Sequence, residues 1–160
     1  MTLGRFDIHY VVSTVGCYSH APREGHLKAM VHVFGYLKHH MKRHIVYDVS
    51  KLDHSNVVLP KQNWKELYPD AKEELLTDMP EPKGEPVTIT TNFDADHAHD
   101  LETQRSVTGI LIFLNNTPVQ WYSKQQATVE SSTYGSELVA VKIACKLMMA
   151  MKYKLCMLGV

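Results

Sequence analysis

The chain has 160 residues, 44% of them hydrophobic and 21% charged, which is the composition of a soluble globular protein with one core or two small ones. Lysine plus arginine (17) balances aspartate plus glutamate (17), so the net charge gives no support to a free-standing nucleic-acid-binding protein. The longest apolar stretch, near 138–151, is broken by Lys142 and Lys146, and the N-terminus lacks a signal-peptide pattern. We therefore expect no membrane contact and a cytoplasmic protein.

The three cysteines, Cys17, Cys145 and Cys156, share no spacing typical of a metal site. An odd number without a pairing pattern indicates a reducing compartment. We expect all three thiols to be free and to behave as small buried hydrophobic side chains.

The first 52 residues contain one clear helical pattern, at 22–38. Pro22 suits a first helical position. The spacing of the apolar residues predicts one buried face, formed by Leu27, Met30, Val31, Phe34 and Leu37. A basic cluster at 38–44 follows, where cations favour a helix C-terminus, and residues 45–49 predict a short strand. Residues 53–86 hold five of the seven prolines and many acidic residues, so we predict a linker with one helical turn near 70–76.

Order resumes in the second half, at 87–160. Strands are predicted at 87–92, 107–114 and 119–123, with a polar loop at 97–106 and a turn at Asn115-Asn116. A helix is predicted at 134–153. Its expected buried residues are Leu138, Val141, Ala144, Cys145, Met148 and Met149. The predicted fold class is therefore α+β (mixed α/β), with three antiparallel strands followed by a helix.

Two acidic positions flank these strands. Asp94 closes the first strand, and Glu137 is expected in the first turn of the last helix, with Asp96 as a further candidate. Carboxylates are the ligands that Mg²⁺ prefers, and two-metal hydrolysis of a phosphodiester uses several of them. On spacing alone, however, loop, capping and helix-dipole roles explain these acids better.

Two weaker patterns lie nearby. His97 and His99 form a His-x-His pair that would suit a transition metal, although a solvated loop explains it better because no matching ligands follow. Trp121, Tyr122 and Lys124 would offer a stacking surface and a phosphate contact. Because Trp121 and Tyr122 point to opposite faces of a strand, we expect at least one in the core.

Residue types, order and spacing in the second half resemble the ribonuclease H region of copia-type retrotransposon polyproteins. The matching stretches are residues 94–98 (DADHA), 105–109 (RSVTG), 121–133 (WYSKQQATVESST) and 137–140 (ELVA). Upstream, residues 26–29 (HLKA) and 36–38 (YLK) resemble the helix that ends the copia-type reverse transcriptase. The resemblance divides the chain into a reverse-transcriptase tail (1–52), a Pro-rich linker (53–86) and a partial ribonuclease H-like domain (87–160).

The resemblance implies a ribonuclease H fold, with Asp94 and Glu137 as catalytic ligands of Mg²⁺ or Mn²⁺ and an RNA–DNA hybrid as substrate. Lys124, Thr128 and Ser131 become candidate nucleic-acid contacts. The later catalytic aspartates of the family have no counterpart, and His97 replaces a common aromatic residue. We therefore expect this chain to bind metal weakly and to be inactive as a nuclease. In the parent element, a virus-like particle or the nucleus is also a plausible location.

A non-enzymatic role is the alternative. An unfinished sheet would expose an unpaired edge, which favours strand addition or self-association. A captured transposon fragment of this kind would act as a protein interaction module.

Overall fold

The computed structural model describes residues 5–53, 55–56, 63–72 and 77–160. A 3₁₀ turn at Phe6–Ile8 leads into α1, and the remaining elements follow in chain order. They are α1 (His9–Cys17), α2 (Glu24–His39), α3 (Trp64–Leu67), β1 (Ile89–Asp96), β2 (Val107–Leu114), β3 (Thr117–Gln125) and α4 (Thr133–Met157). The described fold is mixed α+β, as the sequence predicted.

The three strands form one antiparallel sheet in the order β1-β2-β3, with β2 in the centre. Asn115 has a φ of 50°, the left-handed conformation that asparagine tolerates, and it forms the predicted turn between β2 and β3. Alternate residues of β2 are buried, among them Thr108, Ile110 and Ile112. This period of two gives the sheet one face that is packed against a helix.

That helix is α4. Its first turn is capped by Ser132, whose Oγ accepts a hydrogen bond from the amide of Gly135 at 3.1 Å. Ala140 and Ala144 are buried, and Ala144 forms the core with Ile110 and Ile112. Small side chains at these positions let the helix approach the sheet closely, so the core lies between α4 and β2.

The 3₁₀ turn and α1 lie against the opposite face of the sheet. The ring of Phe6 lies 5.8 Å from that of Trp121, and the Ser13 hydroxyl donates to the carbonyl oxygen of Ser123 at 2.9 Å. Helix α2 packs against α1 and buries Val33. Helices therefore lie on both faces of the sheet, with α1 over β3 on this one.

Several sequence predictions of local structure were wrong. Helix α1 was not predicted. Residues 45–49 form no strand; instead the amide of Asp48 donates to Thr117 Oγ1 at 2.8 Å, which ties this segment to the β2–β3 turn as a loop. Residues 70–72 are not helical, residues 73–76 of the predicted turn lie outside the described residues, and the helical turn described in this region is α3.

Two predicted buried faces were only partly right. On α2, Met30 and Leu37 are half-buried, but Leu27, Val31 and Phe34 are exposed and the buried residue is Val33. On α4, Leu138, Cys145, Met148 and Met149 are exposed, and of the residues predicted as buried only Ala144 is fully so. The helix uses its smaller residues to reach the sheet.

The prediction of free thiols agrees with the structure, but the prediction that they are buried was wrong. Cys17 and Cys145 are exposed, and Cys156 is half-buried. Among the described residues, no helix is both long enough and apolar enough to cross a bilayer.

Candidate metal-binding site on the first strand

Asp94 lies in β1, directly opposite Gly109 of β2, and its side chain is exposed. Nothing lies within 4 Å of the place where a Cβ of Gly109 would stand. The carboxylate lines a cavity of about 360 Å³ whose other walls include Phe6, Tyr10 and Trp121. Asp94 is therefore an accessible acid at the edge of a largely aromatic cavity.

Cross-strand pairing identifies the face on which Asp94 lies. Directly paired residues of neighbouring strands share a face of the sheet. Asp94 of β1 pairs with Gly109 of β2, which in turn pairs with Ser123 of β3. Two residues away, Asn92 pairs with Leu111, which pairs with Trp121 on the same face. Since Trp121 contacts Phe6, the Asp94 side chain lies on the face covered by the 3₁₀ turn and α1.

His9 also lines this cavity. Burial is the main cause that lowers the pKa of its imidazole below the ordinary value, and the N-terminal amine contributes further. Both effects favour the neutral ring.

Asp96 shares the face of Asp94, because it lies two residues further along the same strand. Its Oδ2 lies 2.6 Å from Nδ1 of His99, and Nε2 of His99 lies 3.1 Å from the hydroxyl of Tyr10 in α1. Asp96 is thus engaged in a contact that links the end of β1 to α1. The structure brings Asp94 and Asp96 to one face, with Asp96 already partnered.

Glu137 belongs to α4, which covers the other face of the sheet. It is the fifth residue of the helix and lies in the second turn, so the prediction of the first turn was wrong. The reason is that α4 begins at Thr133, where Ser132 provides the cap. Among the described residues, no three histidine, cysteine or acidic side chains form a group that could hold a metal ion. The side chain of Asp94 lies on the face covered by the 3₁₀ turn and α1, whereas Glu137 belongs to the helix on the opposite face.

His97 and His99 differ in their surroundings. Both nitrogens of His99 contact polar partners, as described above. Nδ1 of His97 is buried and has no hydrogen-bond partner among the described atoms. Ala98 between them has a φ of 50°, so the chain leaves the extended conformation at this point. The His-x-His pair is consequently not presented as two adjacent ligands on one strand.

The candidate nucleic-acid contacts lie at the end of β3 and in the loop after it. Lys124, Thr128 and Ser131 are exposed, and Thr128 Oγ1 donates to Oε1 of Glu130 at 2.8 Å. Tyr122 packs against the core, and burial raises the pKa of its phenol. The expectation that one of Trp121 and Tyr122 belongs to the core is confirmed.

A polar network around Asp100 was missed by sequence reasoning. The carboxylate accepts hydrogen bonds from Thr103 Oγ1 at 2.6 Å, the amide of Glu102 at 3.1 Å and Gln125 Nε2 at 2.9 Å. These bonds, that of Thr103 first, lower the pKa of Asp100 to about 2. The Asp-x-x-Thr spacing was the available signal, since such residues commonly close turns in this way.

Comparison with known proteins gives one partial match. A 51-residue stretch is 45% identical to secreted RxLR effector protein 161 of Plasmopara viticola, and it covers 32% of this chain and 36% of that protein. The matched stretch is about a third of the length of that relative, so it does not establish a family. No protein-family profile matches the chain, and no solved structure matches it.

Proposed function

We propose that residues 87–160 form a ribonuclease H-like unit related to copia-type retrotransposon polyproteins, with Asp94 as a ligand of Mg²⁺ or Mn²⁺. The observation that carries the proposal is Asp94, exposed on β1 and followed by β2, β3 and a helix that contains Glu137. This is the order that the resemblance implies. The name of the similar effector protein states no chemistry, so the proposal rests on the residues and their order.

The partner of the parent polyprotein would be an RNA–DNA hybrid, recognised in part through its 2′-hydroxyls. Lys124 is exposed at the end of β3 and offers a cation to the phosphate backbone. Thr128 and Ser131 are exposed and carry hydroxyls that suit phosphate or sugar oxygens. Lys124 lies near the end of β3, and Thr128 and Ser131 lie in the segment between β3 and α4.

We further propose that this chain binds the metal weakly and hydrolyses little. Two metal ions held for phosphodiester hydrolysis need several carboxylates around them. The chain supplies Asp94 and Glu137 at the family's positions, and these come from opposite faces of the sheet. A single exposed carboxylate holds Mg²⁺ only loosely, because the ion keeps most of its waters.

The metal proposal is tested by titrating Mn²⁺ into the ¹⁵N-labelled chain and following paramagnetic broadening. We expect broadening centred on β1 near Asp94 that is lost in Asp94→Asn. It should persist in Asp70→Asn, a matched change of an exposed aspartate in the linker. Broadening spread equally over all exposed carboxylates, or unchanged in Asp94→Asn, would contradict the assignment.

The activity proposal needs its own assay. With an RNA–DNA hybrid, Mg²⁺ and the purified 160-residue chain, we expect cleavage of the RNA strand close to background. Strong hybrid-specific cleavage that Asp94→Asn abolishes would show that the chain holds a working site. In that case the metal assignment would stand and the proposed inactivity would be wrong.

A second candidate function is that of an interaction module that adds a strand to its sheet. β1 is an edge strand of eight residues, paired with β2 on one side, among the residues that the structure describes. Edge strands offer backbone donors and acceptors to a partner strand. Strand addition would protect β1 amides from hydrogen exchange. β1 amides that exchange at one rate across all protein concentrations, together with a monomer by light scattering, would rule this role out.

A further inference from the structure

Helix α4 has two apolar faces, of which one is buried. Ala140 and Ala144 face the sheet, and Leu147 packs beside them. On the other side, Tyr134 is 78% exposed and Leu138 is 56% exposed. A helix that is apolar on both sides normally has partners on both sides.

The apolar residues on this side follow a regular spacing. Alternating intervals of four and three residues lead along one stripe, which consists of the exposed Tyr134, Leu138, Cys145 and Met148 and the half-buried Val141, and which ends at the half-buried Lys152. This is the a/d pattern of a coiled coil, with Leu138 and Cys145 at a positions and Val141 and Met148 at d positions. The stripe is about 27 Å long at 1.5 Å per residue. It is therefore a seam of the kind that packs against another helix.

Charged residues flank the seam with opposite signs. With Leu138 at an a position, Glu137 occupies the preceding g position and Lys142 the following e position. In a parallel pair of helices, a g residue faces the e residue five positions further along the partner. Glu137 of each copy would then meet Lys142 of the other, and two-fold symmetry gives this contact twice.

We propose that α4 is the dimerisation surface of this protein, and that a second copy packs against it in parallel and in register. The complementarity of Glu137 and Lys142 selects a second copy of the same helix over a partner of unrelated sequence. The same register brings the two Cys145 side chains into one layer of the seam. The proposal does not depend on the ribonuclease H relationship, because it uses only the spacing, exposure and charges of α4.

Exchanging the charges of Glu137 and Lys142 tests whether the two α4 helices pack in parallel. Sedimentation equilibrium of the full chain should show a dimer, and Lys142→Glu should raise its dissociation constant on the order of tenfold, because Glu137 would face a like charge. The double variant Glu137→Lys/Lys142→Glu should restore the wild-type value. A double variant as weak as Lys142→Glu would overturn the parallel arrangement, and a monomeric wild-type chain would overturn the proposal.

A second pair of variants tests whether the dimer forms through the seam of α4 or through the exposed apolar residues of α2, which are Leu27, Val31 and Phe34. Leu138→Asp should give a monomer with an unchanged circular dichroism spectrum, since Leu138 is exposed in the folded chain. Val31→Asp places the same charge on the exposed stripe of α2 and should leave the dimer intact. Dimer loss in Val31→Asp with a dimeric Leu138→Asp would assign the interface to α2 instead.

Cross-linking through Cys145 gives an independent readout. In a Cys17→Ser/Cys156→Ser background, mild oxidation at micromolar concentration should produce a covalent dimer, because the paired thiols meet in one layer. Adding Cys145→Ser should remove it, and so should Leu138→Asp, which keeps the thiol but breaks the seam. Equal cross-linking with and without Leu138→Asp would indicate random collision and overturn the proposed layer.

Discussion

The imidazole of His99 joins two parts of the fold: its Nδ1 lies 2.6 Å from Oδ2 of Asp96, and its Nε2 lies 3.1 Å from the hydroxyl of Tyr10. Asp96 ends β1, and Tyr10 belongs to the first turn of α1. The contact therefore holds α1 against the sheet face that carries Asp94. A helix docked in this way sets how far the candidate metal ligand is open to solvent.

Removing the Tyr10 hydroxyl should loosen α1 locally. Tyr10→Phe breaks one exposed hydrogen bond, and we expect it to cost about 0.5–1 kcal/mol of local stability. Hydrogen exchange of the α1 amides should accelerate, while the amides of β2 keep their protection. Tyr18→Phe makes the same chemical change just after α1 and serves as the control. Equal exchange in wild type and Tyr10→Phe would show that the contact does not hold the helix.

A second contact near the N-terminus should make stability depend on pH. Asp7 accepts hydrogen bonds from Arg5 Nε at 3.0 Å and Nη2 at 2.9 Å, and from the Tyr36 hydroxyl at 2.8 Å. The Arg5 bonds are the main cause that lowers the pKa of Asp7 to about 2. A lowered folded-state pKa gives stability above the unfolded pKa of about 4, and this stability is lost as pH falls towards 2.

Asp7→Asn should therefore be destabilising at neutral pH. We expect a loss below about 1 kcal/mol at pH 7, because the pair is close to solvent and screened. The difference from wild type should shrink between pH 4 and pH 2 and disappear below that. Urea unfolding at several pH values measures it, and a difference that stays constant down to pH 2 would contradict the assignment.

The buried Gln126 side chain should contribute more to the free energy of unfolding than Asp7 does. Its Nε2 donates to Thr108 Oγ1 at 2.9 Å and to the carbonyl oxygen of Ser136 at 2.9 Å, and so joins β2 to the start of α4. Gln126→Leu keeps most of the volume but removes both donors, so we expect a loss of about 1–3 kcal/mol. Asn92→Leu, on an exposed position of β1, should change stability by less than about 0.5 kcal/mol. Urea unfolding in which both variants match wild type would show that the bonds have no net effect.

The sequence predicted the sheet well because its signals are local. The branched and aromatic residues along 107–114 and the asparagine turn specify β2 and its hairpin with β3, and the structure confirms the bounds of β2 as Val107–Leu114. The strand at 45–49 failed for the opposite reason. Within the part of the chain that the structure describes, this segment pairs with no strand, and the amide of Asp48 donates to Thr117 Oγ1 instead. The pairing of a strand is a non-local property.

The candidate site was predictable only in part. The sequence pattern placed Asp94 in a strand and Glu137 in a helix, but it did not predict on which face of the sheet each side chain lies. Which side of the sheet a helix covers depends on packing between distant residues, as the pairing of Phe6 with Trp121 shows. The contact of His99 with Tyr10 was likewise not predictable from local patterns, because it joins residues 89 positions apart.

The face that α4 turns to the sheet gives the last prediction. Ala144 is 3% exposed against the sheet, whereas Lys146, two residues further on, is exposed. Ala144→Leu should overpack the core with Ile110 and Ile112 and cost about 1–3 kcal/mol. Lys146→Leu makes an equally large side chain at a solvent position and should cost less than about 0.5 kcal/mol. Thermal and urea unfolding compare the two, and a tolerated Ala144→Leu beside a damaging Lys146→Leu would mean that α4 packs through its other face.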